Sequence, residues 1–299
     1  MIKRLYVNNY RCLENFELVL EALPTALLIG KNGTGKSTVG SVLKILQSVS
    51  RGINRVGQLV SPGDFARGRA DVPIRLELEV VLDGKLYQYG LALELPIKFK
   101  ELRIADERLS CEGQAVYSRK EAQVTLHASA QNREAQFLVD WHLFALPLIQ
   151  RQSETDPLNV FRNWLSRTVI LESIPSLMTG ESEGETLEPA SRGENFAAWF
   201  TGLLCQYPAA YTTIVEYLKQ VMPDTKDFLN ESVGRESKML VVRFAANEAE
   251  IRVPFTDLSD GEKCFFVCAV VLASNQSYGP LFCFWDEPDN FLSLSEDRL

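Results

Sequence analysis

The stretch Gly30-Lys31-Asn32-Gly33-Thr34-Gly35-Lys36-Ser37-Thr38 has the residue types and spacing best suited to chemistry on a phosphate. Glycine, four residues, then Gly-Lys-Ser is the template of a phosphate-binding loop, or P-loop. Glycines 30, 33 and 35 let the backbone fold tightly, so that successive N–H groups point at one phosphate group. Lys36 can reach β- and γ-phosphates, and the Ser37 hydroxyl can ligate Mg²⁺. A helix starting there favours negative charge. These residues imply a nucleotide site.

Two later stretches add chemistry. Leu258-Ser259-Asp260-Gly261-Glu262 stands before an apolar helical pattern, Cys264 to Ala273. Ser259 and Asp260 are good N-cap types, so this is a second helix start suited to an anion. Leu281 to Trp285 reads as a buried strand that delivers Asp286 and Glu287 at its end. In a P-loop protein the first carboxylate can hold Mg²⁺ and the second can polarise an attacking water. Each of these two stretches is common by itself. With the P-loop, in this order, and with Ser259 27 residues before Asp286, they gain weight together.

The elements that must position these residues can be read from periodicity. Ala26 to Ile29 is apolar and reads as a strand, and Val39 to Val49 reads as the helix after the loop. Residues 2–7 and 16–20 read as two strands around Asn8-Asn9-Tyr10-Arg11, which would sit beside the nucleotide. Arg11 is then a candidate for touching it, or simply a solvated turn arginine. A polar loop, 51–71, follows. Strict alternation through Ile74, Leu76, Leu78, Val80 and Leu82, the turn Asp83-Gly84, and Tyr87, Tyr89, Leu91, Leu93 and Leu95 then give a β-hairpin. Strands are expected over 99–110 and 114–127, turning near Glu112-Gly113. From 132 to 222 the pattern is mostly helical, with a short strand at 168–171 and Trp141, Phe144, Phe161, Trp164, Phe196, Trp199 and Phe200 as core anchors. Ser176 to Arg192, rich in Gly, Ser, Glu and Pro, reads as a mobile loop. Strands return at 238–244 and 250–253. The expected domains are 1–131, with the P-loop and an antiparallel β subdomain; 132–235, a mainly helical insertion; and 236–299, with the two later stretches.

Composition sets outer bounds. The 299 residues are 46% apolar and 23% charged, with a net charge of −8, which argues against a generally basic nucleic-acid coat. The six cysteines (12, 111, 205, 264, 268, 283) form no Cys-x-x-Cys pair; Cys264 and Cys268 would sit one turn apart on a helix, but neither His127 nor His142 lies near them in sequence. Buried thiols in a reducing cytosol fit this better than a metal site. Arg4, Asn8, Asn9, Arg11 and Glu14 interrupt any signal peptide, and no apolar run approaches the ~20 residues that span a bilayer. A cytoplasmic protein without a membrane span is expected.

Together the motifs resemble those of an ABC-class ATPase of the SMC-like, RecF-like and OLD-like branch, often labelled AAA-type ATPases. Gly30 to Ser37 matches the Walker A motif, Leu258 to Glu262 the ABC signature and Leu281 to Asp286 the Walker B. Glu287 matches the catalytic glutamate, 288–292 the loop after it, and Asn9-Tyr10-Arg11 the Asn-Phe-Arg of the N-terminal strand. The resemblance implies an α/β fold of ABC-ATPase type, with ATP and Mg²⁺ as cofactors. It implies binding by Gly30 to Thr38, Arg11, Ser259, Gly261 and Glu262, metal ligation by Ser37 and Asp286, and catalysis by Glu287. It also implies a second copy sandwiching the nucleotide, and work near DNA in repair or phage defence with a nuclease or toxin partner. The sequence departs from the family in two places. It ends 13 residues after Asp286, so the closing strands and the switch histidine are absent and truncation is expected. The family's Q-loop glutamine has no clear counterpart, Gln58 standing only at a suitable distance. Alternatives are a non-hydrolysing, ATP-gated scaffold and a transporter's ATPase subunit.

Overall fold

The computed structural model describes residues 1–20, 23–128, 133–150, 153–233, 237–246 and 249–291. The chain is mixed α/β and divides into two compact units, Met1–Ser166 and Arg167–Leu299. The break falls inside the segment expected as a helical insertion.

The first unit is built on an eight-stranded antiparallel sheet. Its strands are β1 (Ile2–Asn8), β2 (Phe16–Val19), β3 (Ile74–Leu82), β4 (Lys85–Glu94), β5 (Arg103–Cys111), β6 (Gln114–Lys120), β7 (Gln123–Ala128) and β8 (Arg133–Leu138). The order is β2-β1-β3-β4-β5-β6-β7-β8. The alternation in β3 is obeyed, with Ile74, Leu76, Leu78, Val80 and Leu82 all buried. Leu82 pairs with Lys85 across Asp83 (φ 49°) and Gly84 (φ 77°), two left-handed residues whose twist suits a two-residue hairpin. Glu112-Gly113 turns in the same way.

Three expectations in this unit fail. Residues 114–127 are two strands, because left-handed Glu121 (φ 52°) breaks the run into another hairpin. β8 extends into the segment read as helical, since it pairs with β7 along its length. Residues 23–30, expected to hold the strand before the P-loop, form no strand; Leu27 and Ile29 are 79% and 82% exposed. An apolar run becomes a strand only when neighbours fill its ladder, and no described strand pairs with this one.

Helix α1 (Lys36–Ser50) follows the P-loop and buries Val39, Val42, Leu43, Ile45, Leu46 and Val49, spaced at three and four residues. Helix α2 (Pro157–Ser166) sets Phe161 against Tyr87 and Tyr89, with ring centroids 6.2 and 5.5 Å apart. The segment after α1 is held by residues 140–146: Val56 donates to the His142 carbonyl at 2.8 Å and Phe144 to the Asn54 carbonyl at 2.7 Å. Beneath that segment Glu107 is fully buried, accepting from Tyr89 and Tyr117 and from the backbone N–H groups of Ala145 and Leu146.

The second unit contains β9 (Val169–Leu171), β10 (Glu181–Ser182), α3 (Phe196–Gln206), α4 (Ala210–Val221), β11 (Thr225–Val233), β12 (Ser237–Ala246), β13 (Ala249–Pro254), α5 (Asp260–Tyr278) and β14 (Cys283–Trp285). β11 lines one edge of β12, while β13 and β10 share the other. Phe196, Trp199, Phe200, Phe228, Phe255 and Phe266 fill the core, with Phe196 stacked on Phe255 at 4.8 Å. Of the expected anchors, Phe196, Trp199 and Phe200 are buried here and Phe144 and Phe161 in the first unit, whereas Trp164 is half-buried and Trp141 is 37% exposed. The stretch 176–192 is tied down rather than free. β10 pairs with β12, Met178 and Ser182 are buried, and Thr186 N–H donates to the Ala198 carbonyl at 3.1 Å. Met178 and, in part, Leu187 find places against an aromatic core, which composition alone does not reveal.

Candidate nucleotide-binding site

Local chemistry shapes the P-loop. A Cβ at Gly30 would lie 2.8 Å from the Thr34 hydroxyl, which itself donates to the Lys31 carbonyl at 2.8 Å. Gly33 (φ 82°) and Gly35 (φ 99°) occupy left-handed backbone that other residues adopt at a cost. The Lys36 ammonium donates to the carbonyls of Gly30 at 2.8 Å and Lys31 at 3.2 Å, so the loop curls around its own cation. Gly35 is the N-cap of α1, with no side-chain cap and no acidic residue in the first turn. The first N–H groups of a helix lack intrahelical partners, and here nothing negative competes for them. Gly30 to Thr38 therefore offer backbone donors, a lysine and the hydroxyls of Thr34, Ser37 and Thr38, a donor set for a phosphate chain.

The structure brings Arg11 to this loop. Arg11 Nη1 donates to Ser41 Oγ at 3.2 Å, and Ser41 Oγ donates to the Ser37 carbonyl at 3.1 Å. The adjacent Cys12 Sγ lies 3.3 Å from Thr38 Oγ1, and a Cβ at Gly35 would meet Leu13 Cδ2 at 2.8 Å and Cys12 Sγ at 3.0 Å. The turn at 9–13 thus packs on the start of α1. Arg11 Nε also donates to Asp64 at 2.8 Å. Sequence reasoning missed Asp64, Ser41 and Cys12. Arg11 and Asp64 stand 53 positions apart, with no local signal that pairs them.

The other candidates lie in the second unit. Ser259 caps α5: its Oγ accepts from Glu262 N–H at 3.3 Å, while the Glu262 carboxylate accepts from Ser259 N–H and Oγ, both at 2.7 Å. This is a closed capping box. Gly261 lies within its first turn. The helix start therefore already holds a negative partner of its own, unlike α1. β14 is three residues and only partly buried, shorter than the five-residue buried strand expected, because β9 alone pairs with it among the described residues. That pairing runs on to Asp286, whose N–H donates to the Leu171 carbonyl at 2.8 Å. Glu287 is exposed, at left-handed φ 50°, and accepts from Asn290 Nδ2 at 2.6 Å. Part of the loop expected at 288–292 lies outside the described residues.

The metal and thiol expectations can be set beside this. No group of three or more His, Cys, Asp or Glu that could hold a metal occurs among the described residues. Cys264 is buried, but Cys12, Cys205 and Cys283 are exposed, against the expectation of buried thiols; none is needed to fill the core. No described helix is long and apolar enough to cross a membrane.

Comparison with known proteins bears on the first unit most directly. No curated protein sequence matches the chain. Among solved structures it is similar to the Smc head domain with an extended coiled coil from Pyrococcus furiosus, solved bound to the C-terminal domain of ScpA. The identity is 12% and the TM-score 0.45, over 99% of this chain and 84% of that one. Residues 1–138 match the AAA ATPase domain family. That span contains the P-loop, the uncapped start of α1 and Arg11, so the similarity to an ATPase domain falls on the residues that offer a phosphate-binding donor set.

Proposed function

We propose that the protein binds and hydrolyses Mg-ATP, and that ATP drives two copies together and hydrolysis lets them part. The observation that carries this reading is the Gly-Lys-Ser loop at the start of α1, whose first turn holds no side-chain cap and no acidic residue, with the Lys36 ammonium curled onto the loop's own carbonyls. Gly30 to Thr38 cradle the triphosphate, with Lys36 exchanging its loop carbonyls for phosphate oxygens. Ser37 and Asp286 supply the hard oxygen ligands that suit Mg²⁺, which neutralises phosphate charge when bound. Glu287 orients the attacking water, and Arg11 meets the phosphates from the side of the turn at 9–13. Ser259, Gly261 and Glu262 of a second copy complete the γ-phosphate cage, for which Ser259 must give up its bonds to Glu262.

The cycle serves DNA repair or phage defence in the cytoplasm, with a nuclease or toxin as effector. A non-hydrolysing, ATP-gated scaffold is the second reading. It is favoured by the closed capping box at Ser259 and by the Asn290 bond that occupies Glu287. Phosphate release from ATP by the parent protein and by Glu287→Gln separates the two. Turnover that the substitution lowers at least a hundredfold supports hydrolysis, whereas no turnover by either form, with ATP still bound, leaves the scaffold.

A further inference from the structure

The turn that carries Arg11 is clamped from outside by the segment 61–72. Asn9 is fully buried, and its Nδ2 donates to the carbonyls of Arg69 at 2.9 Å and Val72 at 2.6 Å. Ala66 N–H donates to the Asn9 carbonyl at 3.2 Å, and Tyr10 bridges to Phe65. Arg11 N–H donates to the Asp64 carbonyl at 2.6 Å, which helps hold Arg11 in left-handed backbone at φ 50°.

Asp64 then acts a second time through its side chain. One carboxylate oxygen accepts from Arg11 Nε at 2.8 Å. The other accepts from Ser61 N–H at 2.9 Å and Ser61 Oγ at 3.0 Å, so the carboxylate cannot swing with its partner. The Asp64 side chain is 14% exposed and that of Arg11 48%. The guanidinium is held at Nε by Asp64 and at Nη1 by Ser41 on α1, and its carbon lies 5.2 Å from the centroid of the Tyr10 ring. A free arginine side chain samples many rotamers, and ordering it is a cost that binding otherwise has to meet.

We infer that Asp64 is a positioning residue for nucleotide: it fixes Arg11 beside the first turn of α1, with guanidinium N–H groups presented to the phosphates bound by the P-loop. This rests on the nucleotide reading of the P-loop and extends it to the segment after α1. The loop 61–72 thereby becomes part of the ATP site without touching ATP. A carboxylate near a phosphate chain also repels it, an effect of opposite sign. The sign of the effect decides between the two.

The test is a double-mutant cycle read by calorimetric titration with Mg-ATP, using the parent, Asp64→Asn, Arg11→Ala and the double variant. Asn keeps the shape and the capping acceptor at this site but releases the guanidinium. Asp64→Asn is expected to weaken ATP binding roughly two- to tenfold, the range for ordering one long side chain. In the Arg11→Ala background the same change is expected to do nothing further. Asp64→Glu, run in the same cycle, keeps the charge and should recover part of the affinity; it also carries the test if Asp64→Asn does not fold. Equal losses in both backgrounds would make Asp64 merely structural, and unchanged or tighter binding in Asp64→Asn would also overturn the inference. Lys36→Ala is the separate arm. If it leaves affinity unchanged, the nucleotide reading itself fails; if it weakens binding while the Asp64 cycle stays flat, only the positioning role fails.

Discussion

Replacing Glu107 by Ala probes the support beneath the segment that follows the P-loop helix. The carboxylate accepts four hydrogen bonds, from Tyr89 Oη at 3.1 Å, Tyr117 Oη at 2.8 Å, Ala145 N at 2.7 Å and Leu146 N at 2.9 Å. Arg119, equally buried, lies 3.8 Å away, and its other donors are spent on the carbonyls of Glu121, Asp140 and Leu143. Alanine leaves two phenols and two backbone N–H groups without an acceptor, and a buried guanidinium without its counter-charge. A lone hydrogen bond to a charged group contributes about 1.5–3 kcal/mol, but the four share one acceptor and do not add. Breaking a buried ion pair by removing one partner costs about 3–5 kcal/mol, and that is the expected loss. For a unit of this size it corresponds to a fall in Tm of roughly 6–20 °C. Urea unfolding followed by circular dichroism measures it. A loss below about 1 kcal/mol would mean that water or a shifted loop satisfies these donors, and the network would not be the support described.

Two further predictions concern the site. Burial opposes ionisation of Asp64, but hydrogen bonds from Arg11 and Ser61 outweigh it and hold its carboxyl below the usual range. A depressed native value means that the pair's contribution is present above the ordinary carboxylate range and is lost as pH falls through the native value. Asp64→Asn should therefore show a shallower loss of stability on acidification than the parent; parallel curves in thermal melts across pH would refute it. Ser259→Arg should cost about 1 kcal/mol by removing the α5 cap and should abolish ATP-dependent pairing in light scattering. A nucleotide-dependent dimer that survives the substitution would make this stretch a helix cap and nothing more.

What could be read in the sequence was what local chemistry dictates. The β3–β4 hairpin follows from alternation and Asp83-Gly84, and the P-loop from its glycines and Lys36. The cap at Ser259 follows from its residue type before an apolar helical pattern, while its closure by Glu262 was not read. What could not be read depends on partners distant in the chain. Ala26 to Ile29 has strand composition but no described ladder neighbour, so Leu27 and Ile29 stay exposed. Met178 and Ser182 belong to a polar, glycine-containing stretch, yet they are buried among residues that come later in sequence. Asp64 looks like an ordinary turn aspartate until the fold sets it against Arg11, 53 residues away. The carboxylates at 286 and 287 were legible as a pair, but the Asn290 contact to Glu287 was not.

The central claim is that the loop at 30–38 binds a nucleoside triphosphate through Lys36, and calorimetric titration with Mg-ATP of the parent and Lys36→Ala tests it most directly. Losing a charge-assisted contact to phosphate should weaken binding at least tenfold, about 1.4 kcal/mol. Equal affinity in the two proteins, or no binding by the folded parent, would contradict it.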